Sequence, residues 1–331
     1  WSYQIHKTSC IAFDANWISN LNSIPDLTAK ELMLMHTAFG KWMGQAILTF
    51  IETNHLEHKI HLIASHGHTV FHEPALGMTF QMGDGASIAA ITKLPVVSDL
   101  RNMDIALGGQ GAPIVPIGEK LFWNEFTYFL NIGGICNLTS NNDDKHIAFD
   151  VSPANRVLNL LCHELEKPFD ENGQEASLGN VNLDLLNELN ALDYYQLSFP
   201  KSLSNEFGTE VIIQLMNQYS IPVRDKLKTM CVHISIQVKN AVKLCPARDG
   251  SKMMITGGGA FNNYLISLLQ EELKALQVEV ILPEKELIEY KEALVMALIG
   301  VLRWREENNV MSSVTGAVRS SVGGALWMGQ E

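Results

Sequence analysis

Leu32, Leu34, Met35, Phe39, Met43 and Ile47 recur along one stripe of the stretch Ala29 to Asn54. That spacing, close to the roughly 3.6-residue helical period, predicts an amphipathic helix. The apolar run Ile60 to Ala64 predicts a short buried strand, ending at the polar tip Ser65-His66-Gly67-His68-Thr69. A second short strand or hairpin is expected after Gly77, then a turn at Asp84-Gly85 and a helix from Ala86 to Thr92. Leu94 to Ser98 is strand-like and leads into another polar tip, Asp99 to Asp104. Gly108-Gly109-Gln110-Gly111, with Pro113 and Pro116, interrupts regular structure.

A second unit begins near Thr127. Phe126 to Ile132 reads as a strand, Gly133-Gly134 as a tight turn and Ile135 to Thr139 as the returning strand. Ile147 to Phe149 is expected to form another strand ending at Asp150, with Ser152 and Pro153 as N-cap and first residue of a helix. Met253 to Ile255 runs into Thr256-Gly257-Gly258-Gly259 and then a helix that Asn262 or Asn263 can cap. Val278 to Leu282 reads as a strand, and Glu289 to Arg305 as a helix apolar on most faces. Strands alternating with helices define an α/β protein.

Composition narrows the partners. The 331 residues are 47% apolar and 18% charged, which suits a folded chain with a sizeable core. A net charge of −12 argues against nucleic acid and against anionic membrane surfaces as partners. The longest apolar stretch, Ala293 to Leu302, is about half of what a bilayer requires. Five cysteines, at 10, 136, 162, 231 and 245, show no zinc-like spacing and fit free thiols in a cytoplasmic protein. The chain opens at Trp1 with alternating residues, as though inside a strand, which implies that residues precede it. A homodimer is left open.

Several polar clusters at strand ends can carry chemistry. Gly133-Gly134 after Asn131 suits phosphate, because glycine lets amides turn toward an anion, although a hairpin turn explains it equally well. Gly257-Gly258-Gly259 can admit a flat adenine or ribose, or can simply permit close packing. It fits neither the P-loop nor the dinucleotide fingerprint. Asp150, at a strand end and not needed as a cap, is the candidate general base. Asp84, Asp99, Arg101, Asp104 and Gln110, with His66 and Thr69, offer the donors and acceptors that a polyhydroxylated ligand needs, although any one of them taken alone reads equally as a surface charge or a turn cap. Glu292, at the start of an apolar helix, serves either a ligand or the helix dipole. His66, His68 and His72 lack a clear third partner for a metal, and the metal ligands are unknown.

Taken in order, these residues resemble the anhydro-N-acetylmuramic acid kinase family. The match runs through Ser65-His66-Gly67-His68-Thr69-Val70, Gln81-Met82-Gly83-Asp84-Gly85-Ala86 and Leu94 to Arg101. It continues through Asp104 to Pro113, Leu130 to Asn137, Phe149-Asp150 with Pro153 and Asn155, and Thr256 to Asn262. Lys291-Glu292-Ala293 and Val314-Thr315-Gly316-Ala317 complete it.

The resemblance implies a two-lobed, actin-like ATPase fold on ribonuclease-H-like cores, with a central cleft. The lobes are expected at 1–126 plus about 309–331, and at 127–308. It also implies a reaction in which ATP and Mg²⁺ serve to open the 1,6-anhydro bond and phosphorylate O6, giving N-acetylmuramic acid 6-phosphate. By position, Asp150 would activate the attacking water, and His66, Thr69, Asp84, Arg101, Gln110 and Glu292 would hold the sugar. Asn131, Gly133, Gly134, Asn137, Gly257, Gly258, Gly259 and Asn262 would hold ATP. The sequence departs from the family in lacking the N-terminal Ser/Gly/Thr phosphate loop with its aspartate. It also has Ser152 and Ala154 where many relatives have glycine, Val232 where many have an acid, and Ser204 where many have glycine. A non-catalytic sugar- or nucleotide-binding homologue and a kinase for another sugar are the alternatives.

Overall fold

A computed structural model describes residues 1–142, 145–199, 201–204, 206–245 and 250–329. In chain order the strands are β1 Ile63–Ala64, β2 His68–Glu73, β3 Met78–Met82, β4 Val96–Ser98 and β5 Tyr128–Ile132. They continue as β6 Ile135–Asn142, β7 Lys145–Pro153, β8 Lys252–Thr256, β9 Glu279–Ile281 and β10 Ala325–Trp327. The chain divides into two compact units, Trp1–Phe122 with Glu292–Glu331, and Trp123–Lys291. The second boundary cuts the helix Lys285–Trp304, so Glu292 falls in the first unit rather than in the span 127–308.

In the first unit, β4 lies between β1, to which it is parallel, and β10, to which it is antiparallel. β2 and β3 form a separate hairpin. The helix Ala29–Thr53 starts on a capping box, with Thr28 and Glu31 each satisfying the other's backbone N–H. It packs closely on the turn into helix Gly85–Thr92, because a Cβ on Gly40 would stand only 2.6 Å from the Asp84 carbonyl oxygen.

The second unit is built on a five-stranded sheet in the order β7-β6-β5-β8-β9. The first three strands form an antiparallel meander, and β8 and β9 extend it in parallel. This is the ribonuclease-H-like arrangement that the resemblance implies. Alternation along the strands sorts the side chains onto two faces. One face carries Leu130, Ile132, Cys136, Leu138, Phe149, Met253 and Ile255 into a core completed by helices Asn155–His163, Val223–Leu244 and Asn263–Lys274.

Some expectations need correction. Trp1–Phe13 forms no regular element. The polar tip after Ala64 becomes β2 from His68 onward, because its residues pair with β3, and Asn102–Ala106 is helical. β7 does not end at Asp150 but pairs with β6 as far as Pro153. The following helix therefore starts at Asn155, with Ala154 at its N-cap position, and the Ser152 hydroxyl donates to the Pro153 carbonyl oxygen instead. The last long helix starts at Lys285, so Glu292 lies two turns inside it, beyond the reach of a dipole effect confined to the first turn. The five cysteines are unpaired. Among the described residues, no helix is long and apolar enough to cross a membrane.

Candidate active site

A polar row crosses the sheet of the second unit on the face opposite its core. Thr256 is in register with Asn131, Asn131 with Asn137, and Asn137 with Asp150. Residues in register on neighbouring strands share a face. Four strands thus bring these side chains into one row across that face of the sheet.

Asp150 is held from one side. Its N–H donates to the Lys201 carbonyl at 3.2 Å, and its Oδ2 accepts the Leu203 N–H at 2.8 Å. The Tyr194 hydroxyl donates to its backbone carbonyl at 2.6 Å. Lys201 donates to the Tyr194 carbonyl at 3.3 Å, and its ammonium stands 4.6 Å from the Tyr194 ring centroid. Oδ1 has no partner among the described residues. Burial pushes the Asp150 carboxyl above the usual carboxylate range, and the Leu203 N–H partly opposes that shift.

The glycine corners separate into two kinds. A Cβ on Gly259 would fall 2.2 Å from Ile132 Cγ2, and one on Gly257, where φ is +82°, would fall 2.5 Å from Asn131 Oδ1. Those two glycines are explained by close packing. Gly258 would meet only Asn155 Nδ2, at 3.5 Å; Gly134 would meet nothing nearer than Arg156, at 3.8 Å. Gly133 is open as well, its nearest neighbour being the Ile135 carbonyl oxygen at 3.5 Å. The three leave bare backbone beside Asn131. The turn carbonyls are tied to the next helix, since Asn155 N–H donates to Gly133 and Ala154 N–H to Gly134. Asn155 Nδ2 reaches the Ile132 carbonyl at 3.1 Å. Asn262 caps the helix Asn263–Lys274 through the Leu265 N–H, so its side-chain oxygen already has a structural partner.

In the first unit, Arg101 organises the polar residues. Its Nε–H donates to His66 Nε2 at 2.9 Å and its terminal nitrogen to the Gly111 carbonyl at 2.6 Å. His66 therefore carries its proton on Nδ1, which lies 2.9 Å from the Gly67 carbonyl oxygen. Burial and the neighbouring guanidinium hold its pKa below the ordinary histidine value, while the Gly67 carbonyl and Glu292 pull the other way. Asp104 is buried and fixes the loop: Oδ2 accepts the Gly111 N–H and Oδ1 the Thr315 hydroxyl, each at 2.7 Å. Gln110 is tied by its backbone N–H to the Thr315 carbonyl and leaves its side chain exposed. Thr69 is exposed on β2.

Asp84 is less available than its sequence position suggests, because its carboxylate caps helix Gly85–Thr92 through the Ala86 and Ser87 N–H groups and the Ser87 hydroxyl. Asp99 accepts the Ser98 hydroxyl at 2.6 Å. No group of three or more His, Cys, Asp or Glu residues among those described could hold a metal. Sequence reasoning missed Tyr194, Lys201 and Leu203, which lie more than forty residues beyond Asp150 and carry no motif. It quoted Asn155 and Thr315 only as part of a resemblance, without a role.

A family model described as anhydro-N-acetylmuramic acid kinase matches residues 15–329. A protein of that name from Hydrogenovibrio crunogenus is 33% identical over 323 residues, covering 94% of this chain and 86% of its own. One from Coxiella burnetii is 32% identical over 323 residues, with 94% and 85% covered. One from Bacillus cereus is 30% identical over 331 residues, with 94% and 86% covered. Among solved structures, the chain is similar to the activator of the 2-hydroxyisocaproyl-CoA dehydratase from Clostridium difficile with bound ADPNP. That likeness has a TM-score of 0.38 and 17% identity, over 64% of this chain and 68% of that chain.

Proposed function

The chain belongs to the anhydro-N-acetylmuramic acid kinase family, and from that premise we propose that it hydrolytically opens 1,6-anhydro-N-acetylmuramic acid and phosphorylates O6 with ATP, in cell-wall recycling. The observation that carries the mechanism is the half-buried Asp150, engaged at one oxygen only, in a polar row beside the open glycines.

In this reading Asp150 takes a proton from water as the water oxygen bonds to the anomeric carbon. The bond from that carbon to O6 breaks, and O6 keeps the electron pair. O6 then bonds to the γ-phosphorus of ATP, and the bond from phosphorus to the bridging oxygen breaks to release ADP. Asp150 returns its proton to solvent. A base whose pKa is raised toward the working range is the stronger acceptor. His66, Thr69, Arg101, Gln110 and Glu292 hold the sugar, with Asp84 contributing only what its cap leaves free. Gly133, Gly134 and Gly258 give the phosphates and ribose bare backbone, with Asn131 and Asn137 beside them and Gly257, Gly259 and Asn262 shaping the corner. Mg²⁺ on the phosphates would neutralise charge during transfer. Phosphate oxygens and water would be its ligands.

The test is turnover of the protein with ATP, Mg²⁺ and the anhydro sugar in ¹⁸O-labelled water. The reading expects one label on the anomeric oxygen, none on phosphate, and one ADP per sugar phosphate. Label on free phosphate, or transfer to a plain hexose but not to the anhydro sugar, would reject it.

A further inference from the structure

Thr79 fixes which way the amide of Gln81 faces. The Thr79 hydroxyl lies 3.5 Å from the Phe71 carbonyl oxygen, and Gln81 Nε2 donates to the Thr79 oxygen at 2.8 Å. His72 Nδ1 lies 3.0 Å from that same oxygen. A hydroxyl has one proton and two lone pairs. Whether that proton goes to an unprotonated His72 Nδ1 or to the Phe71 carbonyl, Thr79 keeps a lone pair for Gln81, which presents its nitrogen there at 2.8 Å. Its Oε1 is then left over. That oxygen is buried without a partner, in a residue only 4% exposed. An acceptor in this position is costly until a donor meets it.

The location says where the donor comes from. Gln81 stands opposite Thr69 in the β2–β3 hairpin, and its Cβ would lie 3.3 Å from a Cβ on Gly67. Gly67 follows His66, which accepts from Arg101. On the other side of the network, His72 Cε1 would lie 3.5 Å from a Cβ on Gly111, whose carbonyl also accepts from Arg101. The unpaired oxygen therefore belongs to the same cluster as the sugar-holding residues.

We infer that Gln81 reads the 2-acetamido group of the sugar, its Oε1 accepting that group's amide N–H. This rests on the substrate proposed above. A hydroxyl can rotate to donate or accept, so a fixed acceptor selects weakly for it. An amide N–H can only donate, and Gln81 Oε1 can only accept. The lactyl carboxylate of a muramic acid has no donor at neutral pH and so cannot meet Gln81.

The test is calorimetric binding of the anhydro sugar and of its 2-acetoxy analogue, which keeps the acetyl group but has no N–H, to the whole chain without ATP, with Gln81→Met and Thr79→Val beside the unaltered protein. The unaltered protein is expected to prefer the acetamido sugar by roughly 10–100-fold, the range of one buried hydrogen bond. Gln81→Met should reduce that preference to within about threefold, while ATP affinity, titrated separately by calorimetry, stays unchanged. Thr79→Val keeps the amide but frees it to turn, and should lose part of the preference. If Gln81→Met fails to fold, Thr79→Val still carries the test. Equal weakening of both sugars, or an unchanged preference, would overturn the assignment. Binding of neither sugar to the unaltered protein would overturn the substrate reading and this inference together.

Discussion

Leu203 donates its backbone N–H to Oδ2 of Asp150 at 2.8 Å, and Asp150 returns its own N–H to the carbonyl of Lys201. A loop more than fifty residues away in sequence thus grips the strand and one carboxylate oxygen, while Oδ1 stays available to a water. Burial disfavours the charge and raises the pKa, and the single N–H keeps that rise in check. A base needs this balance: ionised at working pH, yet a better proton acceptor than a surface aspartate.

Asp150→Asn keeps an oxygen for Leu203 and removes the base proposed above. Turnover should fall by roughly 10²–10⁴, with ATP affinity within about tenfold of the unaltered protein. Because the folded pKa lies above the unfolded one, ionised Asp150 costs stability once pH exceeds the folded value, and that cost disappears below the ordinary aspartate value of 3.8. The asparagine variant should therefore be at least as stable as the unaltered protein at pH 7, with the difference vanishing near pH 3. Thermal melts across that range check it. A clearly less stable variant at neutral pH would show that the charge is compensated after all.

Tyr194 holds Asp150 through its carbonyl, at 2.6 Å, and also carries the Lys201 ammonium on its ring. Tyr194→Phe removes the hydroxyl and keeps the ring. The expected outcome is a fall in kcat of about tenfold, the scale of one lost hydrogen bond of about 1–1.5 kcal/mol, with little change in either KM. Steady-state kinetics decide it; a rise in KM at constant kcat would place Tyr194 in binding.

How much of this was legible in the sequence depends on range. The row Thr256, Asn131, Asn137 and Asp150 could be guessed because each member interrupts or ends an apolar run. Local patterning also offers Asn262 or Asn263 as a cap, and the bond from the Leu265 N–H selects Asn262. What failed was the step after Asp150. Ser152-Pro153 looks like a helix start, yet pairing with β6 carries the strand through both residues, so tertiary pairing overrode the local signal. Asp84 reads in the sequence equally as a ligand or as a turn cap, and its carboxylate does cap the helix, which starts one residue earlier than the apolar pattern shows. Leu203 gave no signal at all, since it contributes only a backbone N–H.

The triple glycine separates packing from binding. Gly259→Ala forces a Cβ to 2.2 Å from Ile132 Cγ2 and should cost about 1–3 kcal/mol of stability. Gly258→Ala meets only Asn155 Nδ2 at 3.5 Å, so it should melt within a few degrees of the unaltered protein. Its methyl group nevertheless occupies the open shelf, and the KM for ATP should rise by about tenfold, the size of one lost backbone contact. Melting and ATP kinetics on the two variants together check the division. An unchanged ATP KM in Gly258→Ala would remove this corner from the nucleotide site.

In the proposed function His66 and Arg101 hold the sugar, so their contact should make sugar binding sensitive to acid. His66 Nε2 accepts from Arg101 only while it carries no proton. Burial and the adjacent guanidinium lower its pKa from 6.5, so the contact is intact at neutral pH. As pH falls through that lowered value, Nε2 gains a proton, the hydrogen bond is lost and two cations face each other. His68 and His72 stand nearby, and Glu292 is the acid that favours the charged form. The sign follows: the contact contributes stability above the unfolded pKa, and loses it as pH drops through the folded one. Sugar affinity measured by calorimetry should weaken below the ordinary histidine range. His66→Gln, which keeps an acceptor that does not titrate there, should flatten that dependence. The acid limb of kcat, set by Asp150, should remain in the variant, because the two groups act on different quantities. If His66→Gln leaves the acid loss of affinity in place, protonation of His66 is not its cause.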